Sequence, residues 1–136
     1  MSPLEYARRA RLLFLTAGWW NVLVGAAGLV GPRATAQLLY GDGMWTDERL
    51  LWFAWSDFSA CVLLFGVGYF IVAGDVRKNH GIVLLGVLGK AGVVVSFPLR
   101  YLAGAATVWL LVPAVVDGLL AILFLLFLAT RSRLDV

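Results

Sequence analysis

An all-helical membrane protein, a bundle of four transmembrane helices, is what this sequence predicts, and three observations predict it. The chain of 136 residues is 62% hydrophobic and 14% charged, with a mean hydropathy of +0.90; a soluble domain carries about 25% charged residues. Its apolar residues fall into four long runs separated by short polar links. The basic residues sit at the ends of those runs and form no patch, which is the distribution of a polytopic membrane protein and not of a nucleic-acid binder. A single domain of this length could not hide so much Leu, Val, Phe and Trp in a soluble core.

The first span covers residues 11–30. A run of about 20 residues rising about 1.5 Å each crosses a hydrocarbon core of about 30 Å. Gly31-Pro32 ends it, because proline cannot continue the hydrogen-bond ladder. Residues 32–40 read as a short interfacial helix in the first outer loop, opened by Pro32, stopped by Gly41, with Leu38, Leu39 and Tyr40 toward lipid. Asp42 and Gly43 continue the turn, and Thr46 is placed to cap the next helix, with Asp47 and Glu48 in its first turn. The second span covers residues 49–73, with Trp52, Trp55 and Tyr69 near the two interfaces. A polar hairpin at residues 74–80 leads to the third span, residues 81–101. Pro98 sits in its last turn, where neighbouring helices can absorb a kink. Gly104 breaks the chain, and the fourth span covers residues 106–130.

Arg8, Arg9 and Arg11, then Arg77 and Lys78, then Arg131 and Arg133 fall on one side of these spans; Arg33, Arg49 and Arg100 fall on the other. The positive-inside rule therefore expects both termini and the hairpin in the cytoplasm of a bacterial inner membrane. The run from Leu12 to Val30 is longer than the apolar stretch of a signal peptide, so it reads as a retained span despite the cleavage-like Ala34-Thr35-Ala36. Cys61, the one cysteine, reads as a small buried residue.

The feature that asks for an explanation is a plane of polar residues. Asn21, Lys90 and Asp117 fall near the centres of spans one, three and four, and Asp57 about 6 Å outward of the centre of span two. A charge at mid-bilayer costs about 2.5 to 3.5 kcal/mol on insertion scales, so it tends to be paired and functional. Spans three and four are antiparallel and closely linked, which lets Lys90 and Asp117 meet. Two carboxylates against one ammonium leave surplus negative charge, and desolvation favours a proton shared between Asp57 and Asp117. Three readings stay open: an ion pair that fixes helix register, a pocket for a hydrophobic ligand, or proton-coupled transport or acid–base isomerisation. Trp19 and Trp20 beside Asn21 read either as core packing or as an aromatic wall to such a pocket. Gly18, Gly25 and Gly28 on span one, with Gly81, Gly86, Gly89 and Gly92 on span three, read as surfaces for close helix approach.

Other chemistry finds no support. His80 is the only histidine and lies in the hairpin, so a Ser–His–Asp triad or bis-histidine haem site is not expected, nor any metal, cofactor or catalytic residue. Gly66-Val67-Gly68 lacks the third glycine and preceding strand of a dinucleotide loop. The expected partners are the lipid bilayer, a small hydrophobic molecule, and either further copies of the chain or a larger membrane complex that it serves as accessory subunit.

The stretch GVGYFIVAGDVRKNHGIVLLGVLGKAGVVV followed by AVVDGLLAILFLLFLA resembles a family of uncharacterised bacterial four-span integral membrane proteins, loosely similar in size and topology to DoxX-like proteins. The resemblance rests on Gly68, Tyr69, Asp75, Gly86, Gly89, Lys90 and Asp117. It implies a four-span helical fold and assigns no activity and no catalytic residue.

Overall fold

The computed structural model describes residues 2–44 and 49–134. The expected helix cap at Thr46, with Asp47 and Glu48, lies outside the described residues. Five α-helices follow one another: α1 (Pro3–Val30), α2 (Pro32–Tyr40), α3 (Arg49–Gly74), α4 (His80–Leu102) and α5 (Leu111–Thr130), with short 3-10 turns at Asp42–Met44, Val108–Leu110 and Arg131–Leu134. No strand occurs among the described residues. Four helices are long and apolar enough to cross a membrane: Pro3–Val30, Arg49–Gly74, His80–Leu102 and Val108–Thr130.

The first helix begins eight residues before the predicted start at Arg11. Ser2 caps it: its hydroxyl accepts from the Glu5 N–H while the Glu5 carboxylate accepts from the Ser2 N–H, satisfying two of the free donors at a helix start. Tyr6, Ala10, Phe14 and Ala17 then recur at helical spacing on the buried face, while Arg8, Arg9 and Arg11 point outward. The arginines depress a hydropathy average without disturbing the face that packs.

Helices α1 and α3 form one closely packed pair, α4 and α5 another. The α1–α3 seam depends on missing side chains. A Cβ on Gly25 would lie 2.6 Å from the Leu63 backbone nitrogen and 2.7 Å from the Ser59 carbonyl oxygen, and one on Gly66 would lie 2.8 Å from the Gly18 carbonyl oxygen. Backbones this close are the usual packing device in lipid. The glycines of α4 divide: Gly86 makes room for Tyr69, whereas a Cβ on Gly81 or Gly92 would meet nothing within 4 Å and Gly89 only the tip of Phe65. The expected small-residue surface on α4 therefore shrinks to one position.

The two pairs meet differently at the two ends of the bundle. At the end bearing the termini, Phe14, Tyr69, Phe124 and Phe127 form an aromatic core with ring centroids 5.0 Å apart for Phe14–Phe124, Phe14–Phe127 and Tyr69–Phe124. Tyr6 ties the first helix to the last, with its hydroxyl 2.8 Å from Thr130 Oγ1. The hairpin there is held by Asp75, which accepts from the Arg77 N–H at 3.0 Å; that bond, with Lys78 beside it, holds its carboxyl below the usual range.

At the other end α2 lies across the bundle. Thr107 fixes it, donating from its backbone N–H to the Leu39 carbonyl at 2.9 Å and from its hydroxyl to the Leu38 carbonyl at 2.6 Å. Gly104, at φ +71°, turns the chain into this clamp through a backbone region that glycine enters without steric cost. Leu38 is exposed, as expected of an interfacial helix, but Leu39 and Tyr40 are half-buried and pack against Phe97, Leu110 and Ala114. Between this small cluster and the aromatic core, the bundle is hollow.

Candidate functional site

Beneath α2 and between the two helix pairs lies a cavity of about 400 Å³, open along part of its wall. Small-molecule pockets fall at about 300 to 1,000 Å³. The walls are apolar: Val24 from α1, Leu39 from α2, Trp55 and Val62 from α3, Val93 from α4 and Pro113 from α5 all face it. Gly25, Gly28, Gly86 and Gly89 line this half, whereas the corresponding layer toward the termini is filled by phenylalanines.

The polar residues gather at the inner end. Lys90, 3% exposed, donates to Asp117 Oδ1 at 2.5 Å and to Asn21 Oδ1 at 3.2 Å. Asn21 Nδ2 in turn donates to the Val62 carbonyl at 3.3 Å. The ammonium lies 5.4 Å from the centroid of the Tyr69 ring, within the reach of a cation–π contact, about 6 Å. Three helices thus converge on one ammonium, with an aromatic face from a fourth. Asn21, Lys90 and Asp117 all line the cavity, so this cluster is its polar floor.

Two of the six expected site residues are elsewhere. Asp57 is exposed on α3 and takes no part in the cluster or the cavity wall. The inward face of α3 is set by Ser59, Gly66, Tyr69 and Val72, and two residues at about 100° each put Asp57 on the far side from Ser59. Depth along the span is the right coordinate for Lys90 and Asp117 but is only half of the position; phase around the helix is the other half. The expected meeting of the two carboxylates goes with it: Asp117 alone of the pair meets the ammonium. Replacing Asp57 by Asn is accordingly expected to change stability by less than about 0.5 kcal/mol, measured by unfolding in mixed micelles. Trp19 is 58% exposed and packs edge-on against Phe70, while Trp20, one residue further round α1, does line the cavity.

Tyr69, expected at an interface from its distance to the end of span two, is 1% exposed and lies inside the bundle. The spacing Gly66, Tyr69, Val72, Ala73 keeps it on the inward face, and Gly86 leaves space for its ring. Those two signals are present in the sequence. Trp55 is likewise not only an interfacial residue: its indole N–H donates to Thr35 Oγ1 at 3.2 Å and its ring lines the cavity. Cys61, expected to be buried, is exposed, and lies where this cavity meets a smaller hollow of about 300 Å³ between α3 and α4.

No protein-family model, curated protein or solved structure matches this chain.

Proposed function

We propose that this protein is a binding protein of the bacterial inner membrane that holds a small lipophilic molecule in the cavity beneath α2, with both termini in the cytoplasm. The observation that carries the reading is the cavity itself: about 400 Å³ of space, walled by apolar side chains and floored by a hydrogen-bonded Lys90–Asp117–Asn21 cluster. An apolar pocket with a few convergent polar groups is the usual form of a small-molecule site. The likeness to four-span bacterial membrane proteins belongs to the same proposal. The orientation rests on the basic residues, which crowd the end bearing the termini and the hairpin.

Binding is favoured over chemistry by the state of the carboxylate. A proton-shuffling isomerase wants a carboxyl in the pocket that is free of the lysine, and Asp117 is bonded to Lys90. Proton-coupled transport through Asp57 wants that residue on the cavity, and it faces away.

The test uses the tryptophans. Trp20, Trp55 and Trp109 all line the cavity, so a bromoalkyl compound entering it quenches their fluorescence on contact. In nanodiscs of phosphatidylethanolamine and phosphatidylglycerol, at least one ω-bromoundecyl compound is expected to quench saturably. Val93→Phe, which places a ring in the cavity, is expected to weaken that binding about tenfold. Quenching that rises linearly with every probe, as for free partition into lipid, would refute the reading.

A further inference from the structure

The floor of the cavity has a hydrogen-bond acceptor to spare. Lys90 Nζ donates to Asp117 Oδ1 and to Asn21 Oδ1, and the Asn21 amide is engaged with the Val62 carbonyl. No donor among the described residues reaches Asp117 Oδ2, yet no buried side-chain oxygen or nitrogen among them is left without a partner. That oxygen is therefore accessible, and Asp117 forms part of the cavity wall. The Tyr69 hydroxyl likewise has no protein partner among the described residues, and it belongs to a ring that lines the cavity and flanks the same ammonium.

Charge and hydrogen-bond polarity together restrict what fits. The cluster holds one ammonium and one carboxylate, so an ionised ligand head of either sign would leave a net charge in an apolar site, at high cost. A ligand head that only accepts, such as an ether, could take the Tyr69 hydroxyl but would leave Asp117 Oδ2 without a donor. A neutral head that donates one hydrogen bond and accepts another satisfies both free groups at once. We propose that the ligand is a neutral lipophilic alcohol or phenol, its hydroxyl donating to Asp117 Oδ2 and accepting from the Tyr69 hydroxyl, its apolar body lying against Val93, Phe97 and Trp109.

This assignment rests on the cavity being a binding site, and the experiment separates the two. Quenching of the tryptophans of the full chain in the same nanodiscs is titrated with ω-bromoundecanol, its methyl ether and ω-bromoundecanoate. The alcohol is expected to bind about tenfold more tightly than the ether or the carboxylate, since a hydrogen bond to a charged group is lost with each. Tyr69→Phe is expected to reduce the preference for the alcohol by severalfold, and Lys90→Met/Asp117→Leu to abolish it. Equal binding of alcohol and ether, or a preference that survives the double change, overturns the assignment and leaves the cavity reading standing. No saturable binding of any probe overturns both. The comparison of probes on the unchanged protein decides the matter even if a variant fails to fold. Diacylglycerol carries the same hydroxyl on a bilayer lipid: if it displaces ω-bromoundecanol, the proposed alcohol comes from the membrane itself, and if it does not, from a free single-chain molecule.

Discussion

Lys90→Met alone is expected to cost the folded protein about 3 kcal/mol or more, and Lys90→Met with Asp117→Leu much less than that. Removing one member of a buried pair strands the other, at a cost of about 3 to 5 kcal/mol, whereas replacing both by apolar residues of similar size is often neutral or stabilising. Lys90 is the harder of the two to remove, because it also satisfies Asn21 Oδ1 and lies over the Tyr69 ring. The double variant leaves Asn21 with its bond to the Val62 carbonyl and a side-chain oxygen facing the cavity. The measurement is reversible unfolding by SDS in lipid bicelles, followed by helical ellipticity, with yield of folded protein as a second readout. A double variant as damaged as the single one would mean that the ion pair is not what the polar floor depends on.

Gly25→Val is expected to have an effect of similar size for an unrelated reason. Its Cβ would meet the Leu63 backbone nitrogen and the Ser59 carbonyl oxygen, and backbone atoms within a helix cannot swing aside as a side chain can. Overpacking typically costs about 1 to 3 kcal/mol, and a site with backbone on both contacts lies at or above the upper end. Gly92→Ala is the matched control. Its Cβ meets nothing within 4 Å, so it should stabilise α4 by about 0.5 to 1 kcal/mol through reduced backbone freedom in the unfolded chain. If the two glycines respond alike in the same unfolding assay, close approach of α1 and α3 is not what Gly25 provides.

The two expectations bear on one architecture. The α1–α3 pair is held by small residues along its length, and the α4–α5 pair reaches it through the aromatic core at one end and through α2 and the 106–110 segment at the other. A ligand in the space between would be bound by both pairs at once. Its binding would then add to the few contacts that join them, by the ordinary linkage between ligand affinity and stability.

Four spans, their rough limits and their antiparallel order were determined by the sequence alone. Each needs only a long apolar run with polar residues at its ends, and the cost of unpaired backbone in lipid leaves a helix as the form such a run takes. The meeting of Lys90 with Asp117 was legible for a similar reason: depth in a span follows from counting residues, and two opposite charges at one depth on linked antiparallel helices have little choice but each other. What the sequence left undecided was rotation about each helix axis. That angle placed Tyr69 under the ammonium, sent Asp57 and Trp19 outward, and turned Trp20 and Trp55 to the cavity. A soluble helix marks its inner face by contrast, apolar on one side and polar on the other. In lipid that contrast is nearly absent, because the surroundings are as apolar as the core. The packing of glycines against particular neighbours had to fix the rotation instead, and only the tertiary structure shows which neighbours those are.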